Sequence, residues 1–162
     1  MDLVYLINQA EKSSFHLWKL NFLLGFVVPF NKRHNIKVSA INKGEFTTTI
    51  PYKKKNFNHI KGIHACGLAT VAEYASGLSI LYRLDVKKYR LIMKSIAVEY
   101  FYQAKMDAVA KVNKPANFLS ERIDDVMDVK DEITISDKAG NHLATATIIW
   151  QIKPWEKVKT NL

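Results

Sequence analysis

The spacing of apolar residues over positions 3–26 predicts helices. Apolar side chains recur there at three- and four-residue intervals, as on the buried face of a helix. Ser13 and Ser14 interrupt the run, and because serine favours the start of a helix we expect one helix to end and another to begin there. Pro29 and Asn31 are predicted to end the helical region.

From Ile36 onward the spacing changes to two, which predicts β-strands. Residues 36–50 form two such runs with Gly44 between them, as in a β-hairpin. Further segments with strand character are residues 89–102, 106–112, 131–136 and 142–152. The last two are joined by residues 137–141, a strong hairpin sequence. Residues 116–127 fit either a short helix or an irregular edge.

The most unusual segment is residues 58–82, in which a polar, glycine-containing start leads at Ile63 into about five turns of helix. Between positions 65 and 82 the only ionisable side chains are Cys66, Glu73 and two tyrosines. A helix that is apolar all round is a buried helix. Because a desolvated, unpaired carboxylate costs several kcal/mol, Glu73 requires either a partner or a function.

The order of elements predicts an α+β fold with a single domain over residues 1–162. A chain of this length with 48% apolar residues can bury an ordinary core. Only one helix separates the two groups of strands, so an antiparallel sheet wrapped around one long central helix fits better than repeated βα units. Residues 1–30 are expected to form a helical segment packed on this domain.

Cysteine content and the N-terminal sequence favour a cytoplasmic setting. The single cysteine, Cys66, cannot form an internal disulfide, and the N-terminus lacks the pattern of a signal peptide. The apolar run at residues 15–30 is too short to span a bilayer and is interrupted by polar residues. We expect a packed helix and no membrane contact, with one alternative: Trp18, Phe22 and Phe26 recur at helical spacing, as in helices that lie flat on a membrane.

The formal net charge of +9 favours an anionic ligand. Lysine clusters at residues 53–55 and 87–90 are either solvated faces or contacts to phosphate groups. Since no nucleic-acid-binding motif is present and no aromatic residues alternate with these lysines, a phosphorylated small molecule is favoured over nucleic acid. The five histidines are scattered along the chain, so no metal site is predicted.

Asn58, Gly62, His64 and Glu73 form the pattern N-x3-G-x-H-x8-E. This pattern resembles that of the hotdog-fold acyl-CoA thioesterases, particularly the phenylacetate-pathway type, in which an Asn and a Gly-His segment precede an acidic residue nine positions after the His. The predicted order of elements is similar too, and residues 98–105 resemble the end of that family's long third strand. The resemblance covers residues 36–153 and implies a hotdog fold.

The resemblance also implies roles for these residues. Among the catalytic residues, Asn58 would orient the thioester or its neighbouring loop, and His64 would make a contact near the thioester carbonyl. Gly62 would bind the substrate. The backbone N–H of Ala65 would donate to the developing oxyanion, since the first N–H groups of a helix have no internal partner. Glu73 would be the general base or nucleophile. Coenzyme A would enter only as part of the substrate, with its phosphates on the basic surface.

The sequence departs from the family pattern in three ways. The acid is Glu73 where the commonest enzymes have Asp, and Ala65 is followed by Cys66 where the family usually has Gly-Gly. Met93 falls where a Ser or Thr on the third strand helps hold the water. Ser95 lies two residues further on, is therefore expected on the same strand face, and could substitute as the substrate-binding hydroxyl only if the register shifts.

Helical geometry points to a site shared between two chains. Nine residues turn through about 900° and rise about 13.5 Å, so His64 and Glu73 of one chain cannot face one substrate carbon. If two central helices pack antiparallel, Glu73 of one subunit faces His64 and Ala65 of the other. The resemblance implies the same arrangement, and we expect a homodimer with two equivalent sites, or a dimer of such dimers.

Each candidate also has a structural interpretation. Glu73 would be a buried carboxylate bonded to loop N–H groups or to a lysine, His64 would satisfy local backbone groups, Asn58 would cap its loop, and Cys66 would be a small core residue. The sequence thus predicts a thioesterase acting on acyl-CoA or a related acyl-thioester, with a non-catalytic acyl- or acyl-CoA-binding protein as the alternative. A dehydratase or hydratase on the same fold is disfavoured, because those enzymes usually pair His with Asp in a different motif.

Overall fold

A computed structural model describes residues 3–112 and 123–158 of the chain. It begins with three helices, α1 (Leu3–Lys12), α2 (Ser14–Val27) and α3 (Pro29–His34). The predicted break at Ser13 is confirmed, although the Ser13 side chain makes no capping hydrogen bond. The prediction that Pro29 ends the helical region is wrong. Pro29 starts α3, where the N–H that proline lacks would have no helical partner in any case.

The remaining elements of the described residues are strands, one long helix and two 3₁₀ turns. Their bounds are β1 (Lys37–Asn42), β2 (Glu45–Ile50), a 3₁₀ turn (Lys54–Asn56), α4 (Ala65–Arg83), β3 (Tyr89–Tyr100), β4 (Ala108–Val112), β5 (Met127–Asp137), β6 (His142–Pro154) and a 3₁₀ turn (Trp155–Lys157). Both predicted hairpins are present, since β1 pairs with β2 and β5 pairs with β6. The central helix begins at Ala65, two residues later than predicted, because Ile63 forms a β-bridge with Phe57.

One predicted segment falls partly outside the described residues. Of the ambiguous stretch 116–127, residues 116–122 are not described, whereas residues 123–126 have no regular structure and Met127 already belongs to β5. β5 is therefore longer at its start than the predicted strand.

The strands form one antiparallel sheet in the order β1-β2-β4-β5-β6-β3. The inner face packs on α4, whose residues from Tyr74 to Ile80 are all buried. Strand residues of the core include Phe46, Ile50, Ile133, Ile135, Ile148 and Ile152. An antiparallel sheet around one long helix, with helices at the N-terminus, confirms the predicted α+β hotdog fold.

The sheet approaches α4 closely at Gly77. A Cβ atom built there would lie 3.0 Å from Cη2 of Trp150 on β6, which is tighter than ordinary packing allows. The absence of a side chain at Gly77 therefore lets the Trp150 indole lie against the helix backbone.

Side-chain hydrogen bonds hold α1 and α2 against this core. The Asn21 side chain of α2 bonds the backbone of Val38 on β1 twice, with Nδ2 donating to the Val38 carbonyl and Oδ1 accepting from its N–H, both at 2.9 Å. The Tyr82 hydroxyl of α4 donates to Oδ1 of Asn8 on α1 at 2.8 Å. Within residues 3–112 and 123–158, no helix is long and apolar enough to cross a membrane.

Candidate functional site

The loop before α4 is organised by the Asn58 side chain. Its Oδ1 accepts hydrogen bonds from the backbone N–H groups of Ile60 at 3.1 Å and Gly62 at 3.0 Å. Gly62 lies against the next segment so closely that a Cβ atom there would be 2.7 Å from Cγ of Gln103. Asn58 therefore holds the loop in shape, and Gly62 lets the loop pack on residues 103–104.

The first turn of α4 leaves one backbone donor free. The N–H of Cys66 donates to Nδ1 of His64 at 3.1 Å, and the N–H groups of Gly67 and Leu68 donate to the His64 carbonyl at 2.8 and 3.2 Å. No acceptor within the described part of the chain bonds the Ala65 N–H. His64 is thus the N-cap of the helix, and Ala65 presents a donor at its positive end.

A cavity of about 270 Å³ lies at this helix start. Its lining includes Asn58, Ala65 and residues 100–104 from the end of β3. The Tyr100 hydroxyl donates to the Ala65 carbonyl at 3.0 Å, and burial, with a smaller contribution from Cys66, raises the pKa of that hydroxyl. Tyr100 therefore stays protonated and keeps the end of β3 attached to the start of α4.

Cys66 and His64 point to a different cleft. Both line a smaller one of about 180 Å³, together with His34, Asn56 and Phe57. The expectation that Cys66 is a core residue is wrong, because its side chain is exposed. A residue at the second position of a helix whose N-terminus faces solvent is not covered by the sheet.

Glu73 lines a separate cavity of about 400 Å³ between the N-terminal helices and α4. The other lining residues are apolar or aromatic side chains and one glycine: Leu3, Leu6, Leu20, Leu23, Leu24, Val27, Val28, Tyr74, Gly77, Leu78, Leu81, Leu91 and Trp150. Among the described residues, none donates a hydrogen bond to the Glu73 carboxylate or forms an ion pair with it. Burial raises the pKa of Glu73, and burial together with the charge of Glu73 raises the pKa of Tyr74.

Within one chain, Glu73 is kept apart from the other candidate residues. The cavity that contains Glu73 and the cavity that contains Asn58 and Ala65 have no lining residue in common. The structure therefore brings Asn58, Gly62 and Ala65 together, places His64 beside them facing a neighbouring cleft, and leaves Glu73 about two and a half turns further along the helix.

The predicted face of Ser95 is wrong. Met93 pairs with Trp150 and Ser95 pairs with Ile149, so a β-bulge at Lys94 lies between them. Because directly opposed residues share a face, Met93 lies on the inner side of the sheet with Trp150, while Ser95 lies on the outer side. Met93 and Ser95 therefore lie on opposite faces of β3.

A second buried carboxylate, Asp131 on β5, was not predicted. Its Oδ2 accepts a hydrogen bond from the Ser76 hydroxyl of α4 at 2.5 Å, and Ser76 Oγ in turn accepts from Nε1 of Trp150 at 2.7 Å. Burial raises the pKa of Asp131, and the Ser76 bond and Arg83 oppose this shift. The signal was available in the strand pattern, since Asp131 alternates in step with the buried Val129 and Ile133.

In residues 3–112 and 123–158, no group of three His, Cys, Asp or Glu side chains is placed to hold an ion.

Comparison with solved structures identifies the class of fold. Protein PA5026 from Pseudomonas aeruginosa, described as of unknown function and a probable thioesterase, is 21% identical, with a TM-score of 0.73 over 83% of this chain and 93% of that one. Thioesterase HI1161 from Haemophilus influenzae is 12% identical, with a TM-score of 0.69 over 89% and 94%. Phenylacetic acid degradation protein PaaI from Thermus thermophilus is 15% identical, with a TM-score of 0.59 over 76% and 97%. At these identities the similarity establishes the hotdog fold.

The family assignment is more specific. Residues 18–152 match the family called Domain of unknown function (DUF4442), and the chain belongs to that family. No curated protein matches the chain.

Proposed function

We propose that this protein hydrolyses an acyl-thioester such as an acyl-CoA, with Glu73 as the general base or nucleophile. The observation that carries the proposal is the unpaired carboxylate of Glu73 in an otherwise apolar cavity. A carboxylate in that position costs folding free energy, and its raised pKa brings it closer to neutral pH, where a base works best. The distant similarity to hotdog thioesterases supports the same chemistry.

The cavity suits the acyl part of the substrate. Its volume of about 400 Å³ is within the range of ligand pockets, which are mostly apolar with a few polar groups that orient the ligand. Leucine and valine side chains of α1 and α2 would contact the hydrocarbon, and Glu73 would lie at the reacting end.

The start of α4 supplies the complementary groups. The free Ala65 N–H, at the positive end of the helix, would stabilise the oxyanion that forms when the thioester carbonyl is attacked. Because Nδ1 of His64 accepts the Cys66 N–H, a neutral His64 carries its proton on Nε2 and could donate a hydrogen bond to substrate in the neighbouring cleft that it lines. Asn58 would act by holding the loop.

A two-fold dimer would bring the two halves together. β3 is at the edge of the sheet and, within the described chain, pairs only with β6, so one row of its backbone groups is free over twelve residues. A long exposed edge strand is a template for pairing with another chain. Pairing of two β3 strands would set two α4 helices antiparallel, with Glu73 of one subunit towards Ala65 of the other.

The basic surface next to the helix start fits the remainder of coenzyme A. Lys53, Lys54 and Lys55 are exposed, and Lys55 lines the His64 cleft. Phosphate and pyrophosphate groups would be attracted there. A cytoplasmic location, where acyl-CoA is available, belongs to the same proposal.

The direct test is release of free thiol from a panel of acyl-CoAs of increasing chain length. We expect hydrolysis by the wild type and a loss of about 100-fold or more in Glu73→Gln, which removes the base and keeps the shape. Glu132→Gln, at an exposed position of β5, is the matched control and should retain wild-type activity. Equal activity in Glu73→Gln and the wild type would contradict the role of Glu73.

Mixing two inactive variants tests the shared site. If Glu73→Gln and Asn58→Ala are unfolded together and refolded, half of the dimers are mixed and each mixed dimer has one intact site, so about a quarter of wild-type activity should return. Activity that stays at the level of the separate variants would place the whole site within one chain.

A non-catalytic acyl- or acyl-CoA-binding protein is the second candidate. It is favoured by Met93, which faces inward where the thioesterases that this chain resembles carry a water-holding hydroxyl, and by the outward position of Ser95. This alternative predicts acyl-CoA binding by calorimetry with no thiol release in either the wild type or Glu73→Gln.

A further inference from the structure

Helix α2 exposes a continuous row of aromatic side chains. Phe15, Trp18, Phe22 and Phe26 are 64%, 61%, 52% and 60% exposed. Successive ring centroids along the row are 6.0, 5.8 and 5.0 Å apart, so the rings contact one another rather than the core. Large exposed apolar patches of this kind mark interaction sites, because they cost free energy in water.

The opposite side of the same helix belongs to the acyl cavity. Leu20, Leu23 and Leu24 line the cavity that contains Glu73. A helix that is apolar on its buried side needs a polar outer side if it only has to face water. α2 has aromatic residues on both sides of its one exposed lysine, Lys19, so water alone does not account for its outer face.

Charge around the aromatic row has one sign. From Lys12 to Gly44 the sequence contains six Lys or Arg residues and no Asp or Glu. Nζ of Lys32 lies 4.3 Å from the centre of the Phe26 ring, so positive charge borders the row directly. Lys32 and Lys37 also line, with Trp18 and Phe22, a groove of about 410 Å³.

This groove adjoins the Glu73 cavity. Leu24 and Tyr74 line both. These two side chains therefore lie between the groove and the Glu73 cavity, with lysines on the outer side and hydrocarbon on the inner side. That order of charge and hydrocarbon matches a lipid, whose anionic headgroup is followed by acyl chains.

We infer that the outer face of α2, defined by Phe15, Trp18, Lys19, Phe22 and Phe26, docks together with Lys32 of α3 on a bilayer that contains anionic phospholipids. Trp and Phe insert at the boundary between headgroups and acyl chains, and flanking lysines are attracted to anionic headgroups. The complementary charge favours this occupant over a second copy of the chain, whose own α2 face is equally positive. The inference revises the expectation of no membrane contact, and it concerns surface binding alone.

Flotation with vesicles tests the inference on the full chain without substrate, so its outcome is independent of whether Glu73 catalyses hydrolysis. The vesicles are pure phosphatidylcholine, and phosphatidylcholine with phosphatidylglycerol. We expect the wild type to float with the anionic vesicles, more weakly at high salt, and to shift its tryptophan emission to shorter wavelength.

Two double variants and two controls locate the contact. Trp18→Ser with Phe22→Ser should lower the partition coefficient about 10-fold or more. Lys19→Glu with Lys32→Glu should lower binding to anionic vesicles by about five-fold for each lysine. Val86→Ser and Lys130→Glu make matched changes at exposed positions elsewhere and should leave binding unchanged. Circular dichroism checks that all four variants are folded.

Three outcomes would overturn the inference. One is absence of wild-type flotation with anionic vesicles. Another is an equal loss for each reversed lysine in Lys130→Glu and in the Lys19 and Lys32 variant, because attraction would then come from net charge and not from this face. The third is an oligomer, seen by light scattering, that dissociates in the Trp18 and Phe22 variant while vesicle binding is absent, because a second copy would then cover the row.

Discussion

Two carboxylates, Glu73 on α4 and Asp131 on the neighbouring β5, have opposite hydrogen-bonding environments. Asp131 is 8% exposed and receives a hydrogen bond from Ser76, which is itself bonded by Trp150. Glu73, three residues before Ser76 on the helix, has no such partner in the described chain and faces an apolar cavity. Burial raises the pKa of both groups. Asp131 therefore contributes hydrogen bonding to the fold, whereas Glu73 is buried at a cost that its contacts do not offset.

This comparison explains why burial alone is a poor guide to function. Asp131 fixes the orientation of the Trp150 indole, and Trp150 is one wall of the Glu73 cavity. The satisfied carboxylate therefore shapes the space in which the unsatisfied one lies. Its effect on a ligand would be indirect, through the position of an aromatic ring.

The largest expected effect on stability is in Ser76→Ala. This change leaves Nε1 of Trp150 without its acceptor and the Asp131 carboxylate without its donor, so two buried groups become unsatisfied. We expect a loss of about 2 to 4 kcal/mol in the free energy of unfolding, measured in urea. Ser79→Ala is the control. Ser79 is also buried, but its hydroxyl makes two longer bonds of 3.2 Å, donating to the Gly44 carbonyl and accepting from Nη1 of Arg83. Arg83 Nη1 keeps its bonds to the Gly44 and Ser79 carbonyls, so the loss should be about 1 kcal/mol. Equal losses would mean that the Ser76 network has no special weight.

Glu73→Gln is expected to stabilise the protein at neutral pH, by up to about 1 kcal/mol, because it removes an unpaired charge from an apolar site. The gain should depend on pH. Since the pKa of Glu73 is higher in the folded chain than in the unfolded chain, the folded chain binds more protons between those two values. Wild-type stability therefore falls as pH rises through that window, and the advantage of Glu73→Gln disappears below it. Urea unfolding at a series of pH values measures both, and a destabilised Glu73→Gln would show that Glu73 has a partner.

Asp131→Asn should have the smallest effect. The asparagine Oδ1 can still accept the Ser76 hydrogen bond, while the cost of burying the charge is removed, so we expect a change within about 1 kcal/mol. Thermal unfolding near neutral pH measures the difference. A large loss would mean that Asp131 needs its negative charge, with Arg83 as the nearest source of compensation.

Local patterns were enough to predict most of the fold. The break at Ser13, the two hairpins and the long helix follow from spacing and turn residues, which act over a few positions. The exposure of Cys66 and the role of Pro29 depend on tertiary packing, which a few neighbouring residues do not determine. The bulge at Lys94 is of the same kind, because it shifts the register of β3 by one residue through its pairing with β6.

The part of the candidate site that could be predicted is the part indicated by the cost of burying a charge. Glu73 stands out in the sequence because almost no other charge occurs on its helix. Asp131 is indicated only by its alternation with buried strand residues, and its partners are not, because Ser76 is 55 residues from Asp131 and 74 residues from Trp150. A hydrogen-bond relay between a helix and two strands becomes visible only when all three are in place.

The bulge at Lys94 has a consequence for how the newly made chain avoids aggregation. An uninterrupted edge of twelve residues accepts incoming strands in many registers, including those that grow into fibrils. The extra residue bends the edge near its middle, and the Lys94 side chain, paired with Asp128 at 2.5 Å, keeps a charged group at that point. An incoming strand whose register does not fit the bend would form fewer backbone hydrogen bonds with β3 and would contact the charged pair. The bulge therefore restricts the registers in which another strand can pair with β3, and this disfavours polymerisation.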